Sequence, residues 1–158
     1  MVVAWNRGTR LDDSAMKIGS LCRHEVASVP MSASIYEVAT LMCQHRVGSV
    51  IVTDRGGARP HVLGIITDRD IVLAQLERTE SFAEINVSDV MTTCPVLVYE
   101  DEDLIQVTRR LRNAGVRRAP VVNGAGELVG AISADDLFSQ VAKDIRNLAG
   151  IVERRRRN

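Results

Sequence analysis

The sequence predicts a mixed α+β fold built from two tandem β-α-β-β-α units. Three observations predict it. The chain repeats its own pattern at a shift of 69 residues, its helix-start signals recur at the same shift, and its apolar content is aliphatic rather than aromatic. With 158 residues it fits one domain or two small ones. A chain of this size buries roughly 68–70% of its unfolded surface. Hydrophobic residues make up 46% and aromatics 3%, so the core must be assembled from Val, Ile, Leu, Ala and Met.

The elements follow in order. Residues 1–16 read as an arm, and the first copy spans 17–73. Val26-Ala27-Ser28-Val29 reads as a short strand. Ser34-Ile35-Tyr36-Glu37 reads as a capping box, and Ile35, Val38, Ala39 and Met42 then recur at helical spacing. Gly48–Thr53 and Val62–Ile66 read as two strands around a Gly-rich hairpin, and a closing helix starts at Thr67. Residues 74–85 join the copies. The second copy, 86–142, restates the pattern: strand Pro95–Val98, capping box Asp103 to Gln106, strands Arg118–Val122 and Leu128–Ile132, and a closing helix from Ser133. Up to the hairpin Val47 lies over Val116 and Asp54 over Asn123. After it the offset falls to 66, with Asp70 over Asp136. The three extra residues sit in a Gly-rich turn, where a fold absorbs a length change. Residues 143–158 read as a helix end with a basic tail, and cations are favoured near a helix C-terminus.

Composition narrows the function classes. Lys plus Arg is 20 and Asp plus Glu is 20, so the basic excess of a dedicated nucleic-acid binder is missing. Cys22, Cys43 and Cys94 are odd in number and lack CxxC spacing, which signals neither a disulfide framework nor a zinc site. His24, His45 and His61 have no carboxylate or Cys at ligand spacing. No run approaches the ~20 apolar residues of a membrane span. The expectation is a soluble cytoplasmic protein with no membrane partner and no nucleic acid. No HExxH, GxSxG, Walker or GxGxxG motif is present, so enzyme is the weakest hypothesis.

Two β-α-β-β-α copies, each ending in Gly-φ-φ-Ser/Thr-x-x-Asp, resemble a cystathionine-β-synthase (CBS) domain pair. Gly64-Ile65-Ile66-Thr67-Asp68-Arg69-Asp70 and Gly130-Ala131-Ile132-Ser133-Ala134-Asp135-Asp136 carry the resemblance. Val87–Thr92 and Val116–Val122 add to it, and the match covers residues 17–142. The resemblance implies packing about a pseudo-twofold axis and a stand-alone regulatory pair. It also implies dimerisation and two clefts for an adenosine ligand: AMP, ADP or ATP, less readily S-adenosylmethionine or NAD.

Thr67-x-x-Asp70 and Ser133-x-x-Asp136 are the candidate ligand motifs. As plain chemistry each is a helix cap. A helix N-terminus also suits phosphate, and a carboxylate offers two acceptor oxygens to a ribose diol. Arg69, Arg117 and Arg118 offer the planar fork that matches phosphate. The resemblance implies that Arg117 and Arg118 face that phosphate, whereas the first copy has Gly48 and Ser49 there, so the clefts should be unequal. Val26, Ala27, Val50, Pro95, Val96, Ala119 and Pro120 are the candidate adenine walls. Two readings stand: a nucleotide-responsive sensor signalling to a regulated protein, or a ligand-free interaction dimer whose motifs are only caps.

Overall fold

A computed structural model describes residues 16–54 and 60–155. All but Met16 of the expected arm, the centre of the first hairpin turn and the last tail residues lie outside the described residues. The first copy forms β1 (Ser28–Pro30), α1 (Ile35–His45), β2 (Ser49–Thr53), β3 (Val62–Thr67) and α2 (Asp68–Glu77). The second forms β4 (Thr92–Thr93), β5 (Val98–Tyr99), α3 (Leu104–Ala114), β6 (Arg118–Val122), β7 (Leu128–Ser133) and α4 (Ala134–Arg155).

Each helix begins where the sequence put its cap. Ser34 Oγ accepts from Glu37 N at 3.2 Å while Glu37 Oε2 accepts from Ser34 N at 2.7 Å. Asp103 and Gln106 repeat the exchange on α3. Both helices end in a left-handed residue, Arg46 at φ 52° and Gly115 at φ 67°. Beyond each, an N–H reaches back to close the last turn, Val47 to Met42 O and Val116 to Leu111 O.

The first sheet has the order β1-β2-β3-β4 and the second β5-β6-β7. The registers obey the sequence repeat. Val29 pairs in parallel with Val52, and Val98 with Val121. Ser49 pairs with Thr67, and Arg118 with Ser133. Both antiparallel ladders slip at the same place, after Val52 and after Val121. The short leading strands begin later than the sequence suggested. Val26 and Ala27 precede the β1 ladder, with Ala27 O accepting from Ile51 N, and Pro95–Leu97 precede β5.

The two halves exchange their opening segments. A 3-10 turn at Ile18–Ser20 packs on the second sheet, and its counterpart at Val87–Asp89 packs on the first. Ile18 N donates to Glu102 O, and Val87 N donates to Ala33 O. Ile18 and Cys22 therefore complete the core of Val98, Val107, Leu111, Val121 and Ile132. Ile85 and Val87 complete that of Ile35, Val38, Val50, Val52 and Ile66. Fully burying one such side chain contributes roughly 1.5–3 kcal/mol, so each half draws stability from the other's chain. The exchange also explains the glycine that opens each Gly-φ-φ-Ser/Thr motif. A Cβ on Gly64 would meet Met91 Sδ at 2.6 Å, and one on Gly130 would meet Arg23 O at 2.7 Å.

Candidate functional site

The crossing segments bring three stretches together over one cleft of about 270 Å³. Arg23, Val26 and Ala27 enter from the segment before β1. Arg46 to Ser49 enter from the end of α1 and the start of β2. Arg118, Ala119, Pro120, Ser133 and Asp136 face them from β6, β7 and the first turn of α4. The cleft is thus shared between copies, and neither half forms it alone.

Asp136 is the most constrained group in it. Its Oδ2 accepts from Ser133 N at 2.9 Å and from the Ser133 hydroxyl. Its Oδ1 accepts from Arg23 Nε at 3.1 Å. Burial pushes the carboxyl up, but the Ser133 hydroxyl, the Arg23 guanidinium and the Ser133 N–H together hold it below its ordinary value. The Asp136 side chain is 15% exposed, whereas Arg23 is 72% exposed. The anion is therefore fixed, and its arginine partner lies open to solvent.

Two further guanidiniums line the cleft, those of Arg46 and Arg118. Neither has a hydrogen-bond or ion-pair partner among the described residues. Arg118 reaches across to the other copy. Its Nη1 lies 3.0 Å from where a Gly48 Cβ would stand, so the absence of a side chain at Gly48 makes room for it. Val26, Ala27, Ile51, Ala119 and Pro120 supply apolar wall.

Of the residues singled out in the sequence, Val26, Ala27, Arg118, Ala119, Pro120, Ser133 and Asp136 line this cleft. Val50 does not. It is fully buried in the first core, because alternate residues of β2 face opposite ways and Ser49 and Ile51 take the cleft side. Arg117 does not line the cleft itself: it is 82% exposed, and its guanidinium lies 3.9 Å from Asp135, which does. Thr67 and Asp70 cap α2 with the geometry of Ser133 and Asp136: Asp70 Oδ2 accepts from Thr67 N at 2.8 Å and from its hydroxyl at 2.7 Å. Arg69 is exposed on the first turn of α2, and Pro95 and Val96 lie half-buried before β5, all outside this cleft.

Sequence reading missed Arg23 and Arg46. Both carry the same signal, a cation where the other copy has a different residue: Thr92 matches Arg23, and Gly115 matches Arg46. Among the described residues no cluster of three or more His, Cys, Asp or Glu is arranged to hold a metal, and no helix is long and apolar enough to cross a membrane.

Residues 18–77 and 87–143 each match the family model described as CBS domain. The chain is 26% identical over 124 residues to an uncharacterised protein of Methanopyrus kandleri, covering 78% of this chain and 62% of that one. It is 33% identical over 113 residues to the CBS domain-containing protein YhcV of Bacillus subtilis, covering 72% and 76%. It spans 25% of two Arabidopsis thaliana CBS domain-containing proteins that it also matches. Its fold is similar to a CBS domain protein from Pyrobaculum aerophilum complexed with AMP, with TM-score 0.70, 25% identity, and coverage of 81% of this chain and 99% of that chain.

Proposed function

The chain belongs to the CBS domain family, and from that premise we propose that it is a regulatory module whose shared cleft binds an adenosine nucleotide of the AMP, ADP or ATP class. One observation carries the reading. A carboxylate locked in place by a helix cap and two guanidiniums with no hydrogen-bond or ion-pair partner among the described residues face the same partly apolar cavity. Asp136 is the acceptor for the ribose hydroxyls, Arg46 and Arg118 take phosphate, and Val26, Ala27, Ile51 and Pro120 sandwich the base. The volume is just below the ~300–1,000 Å³ usual for ligand sites, which favours a mononucleotide over the larger NAD. AMP in the Pyrobaculum relative supports the same ligand class. Because both copies wall the cleft, a ligand that fits one relative packing better would bias it, and a regulated partner would read the change.

Isothermal titration with AMP, ADP and ATP tests this. The expected result is binding that Asp136→Ala and Arg118→Ala each weaken by about tenfold or more, as for the loss of a charge-assisted hydrogen bond. Unchanged affinity in both variants would remove the site assignment.

The homodimer belongs to the same proposal. Phe138, Val141, Ile145 and Leu148 are exposed along α4 at alternating spacings of three and four, the seam of a helix pair. Antiparallel pairing with a second copy would cover this stripe. Ile145→Glu should yield monomers by light scattering, while a dimer unmoved by that change would place the interface elsewhere.

A further inference from the structure

We infer that Arg23 is a specificity-determining latch on the cleft, admitting phosphorylated nucleosides in preference to bare ones. The inference rests on the nucleotide reading above and deepens it. It starts from the two carboxylates. Asp70 and Asp136 are capped identically through Oδ2 by Thr67 and Ser133. Their Oδ1 atoms differ. Asp136 Oδ1 is taken by Arg23 Nε, whereas Asp70 Oδ1 has no partner among the described residues. The residue matching Arg23 is Thr92, which pairs with Ile65 on β3 as Arg23 pairs with Ala131 on β7.

The backbone of Arg23 is fixed by reciprocal hydrogen bonds to Ala131, both 2.9 Å. Its side chain is free to move, because an ion pair open to solvent at its arginine end is held weakly. A ribose diol reaching for Asp136 must first displace that guanidinium. For a bare nucleoside, the displaced charge gains nothing in return. For a nucleotide, Arg23 remains beside the cleft as a third guanidinium with Arg46 and Arg118, and a phosphate gives it a new partner. Displacement is therefore compensated only when the ligand brings its own anion. Arg23 lowers affinity for adenosine and raises it for phosphorylated forms.

The test is titration of AMP and adenosine into the wild type and Arg23→Thr, which installs the residue of the other copy. Arg23→Gln, which removes the charge but keeps a shorter polar side chain, is a second variant, and melting curves verify folding of each. The expected result is that adenosine binds several-fold more tightly to the variants while AMP binds more weakly, so the AMP-to-adenosine preference falls by about tenfold. If AMP binds all three proteins with the same preference, or adenosine binds the variants more weakly, the latch is overturned and the nucleotide site stands. If AMP, ADP and ATP bind none of the three proteins, the nucleotide reading falls and the latch with it.

Discussion

α1 ends on Arg46, while at the matching end of α3 stands Gly115. Both positions need the left-handed conformation that closes the helix, and only glycine adopts it without a steric cost. The second copy follows the backbone's preference. The first departs from it and gains a guanidinium in the cleft. A like contrast recurs at Arg23 and Thr92: Arg23 of the first copy holds Asp136 of the second, whereas Thr92 of the second leaves Asp70 of the first open. Two halves that share their ladder registers thus differ at these cleft residues, as they do along most of the aligned chain. The repeat preserves the scaffold without preserving the site.

The largest effect should come from the exchange that the halves have in common. A methyl on Gly130 collides with Arg23 O and Cys22 Sγ, both at 2.7 Å. Gly130→Ala should cost about 2–3 kcal/mol, or roughly 4–12 °C in melting temperature. Gly64→Ala should cost less, since its closest contact is the flexible Met91 side chain and the nearest backbone atom, Thr92 O, stands at 2.9 Å rather than 2.7 Å. Equal costs, measured by calorimetry, would break the distinction between the two crossings.

Smaller shifts of opposite sign are expected at the helix ends. Arg46→Gly should raise stability by about 0.5–1 kcal/mol while weakening nucleotide binding about tenfold. Gly115→Arg should lower stability by about 1–2 kcal/mol with no change in binding at this cleft, because no atom lies within 4 Å of a Cβ there and only the backbone objects. Denaturant midpoints and titrations on the two variants would sharpen or erase the contrast.

The smallest effect is acid dependence. Asp136 is held below its ordinary carboxyl value of 3.8 in the fold. Its contribution to stability is therefore present above that value and lost as pH falls through the folded pKa. Urea midpoints between pH 5 and 2 should fall less steeply for Asp136→Asn than for the wild type. Arg23→Thr should lie between them, since it removes only one of the groups lowering the pKa. Parallel acid limbs in all three proteins would contradict this.

Much of the scaffold was legible in the sequence because it rests on local rules. Ser34 with Glu37 and Asp103 with Gln106 announced their helices. The β-branched runs Val50–Val52 and Val121–Val122 announced strands, and the shift of 69 residues, falling to 66 past the hairpin, set which residues of the two copies correspond. The site was legible only in part. Ser133 and Asp136 could be named because a cap and a ligand carboxylate share one motif. Val50, named as an adenine wall, lies in the first core and not against this cleft, because a strand's alternation of faces does not say which face meets the cleft.

The sequence by itself determined two copies, their element order, their capped helices and their neutral charge, since each follows from spacing along the chain. Only the tertiary structure decided that residues 18–22 complete the second core and 85–87 the first. Only it brought Arg23, Arg46 and Arg118 around Asp136. The physical reason is that a repeat specifies contacts within a copy and their equivalents in the next, but a residue pair spanning the two copies has no signature at any fixed spacing. Such pairs form where buried surface and hydrogen bonds between distant segments outweigh the loss of chain entropy, and that balance is struck only when the whole chain has closed on itself.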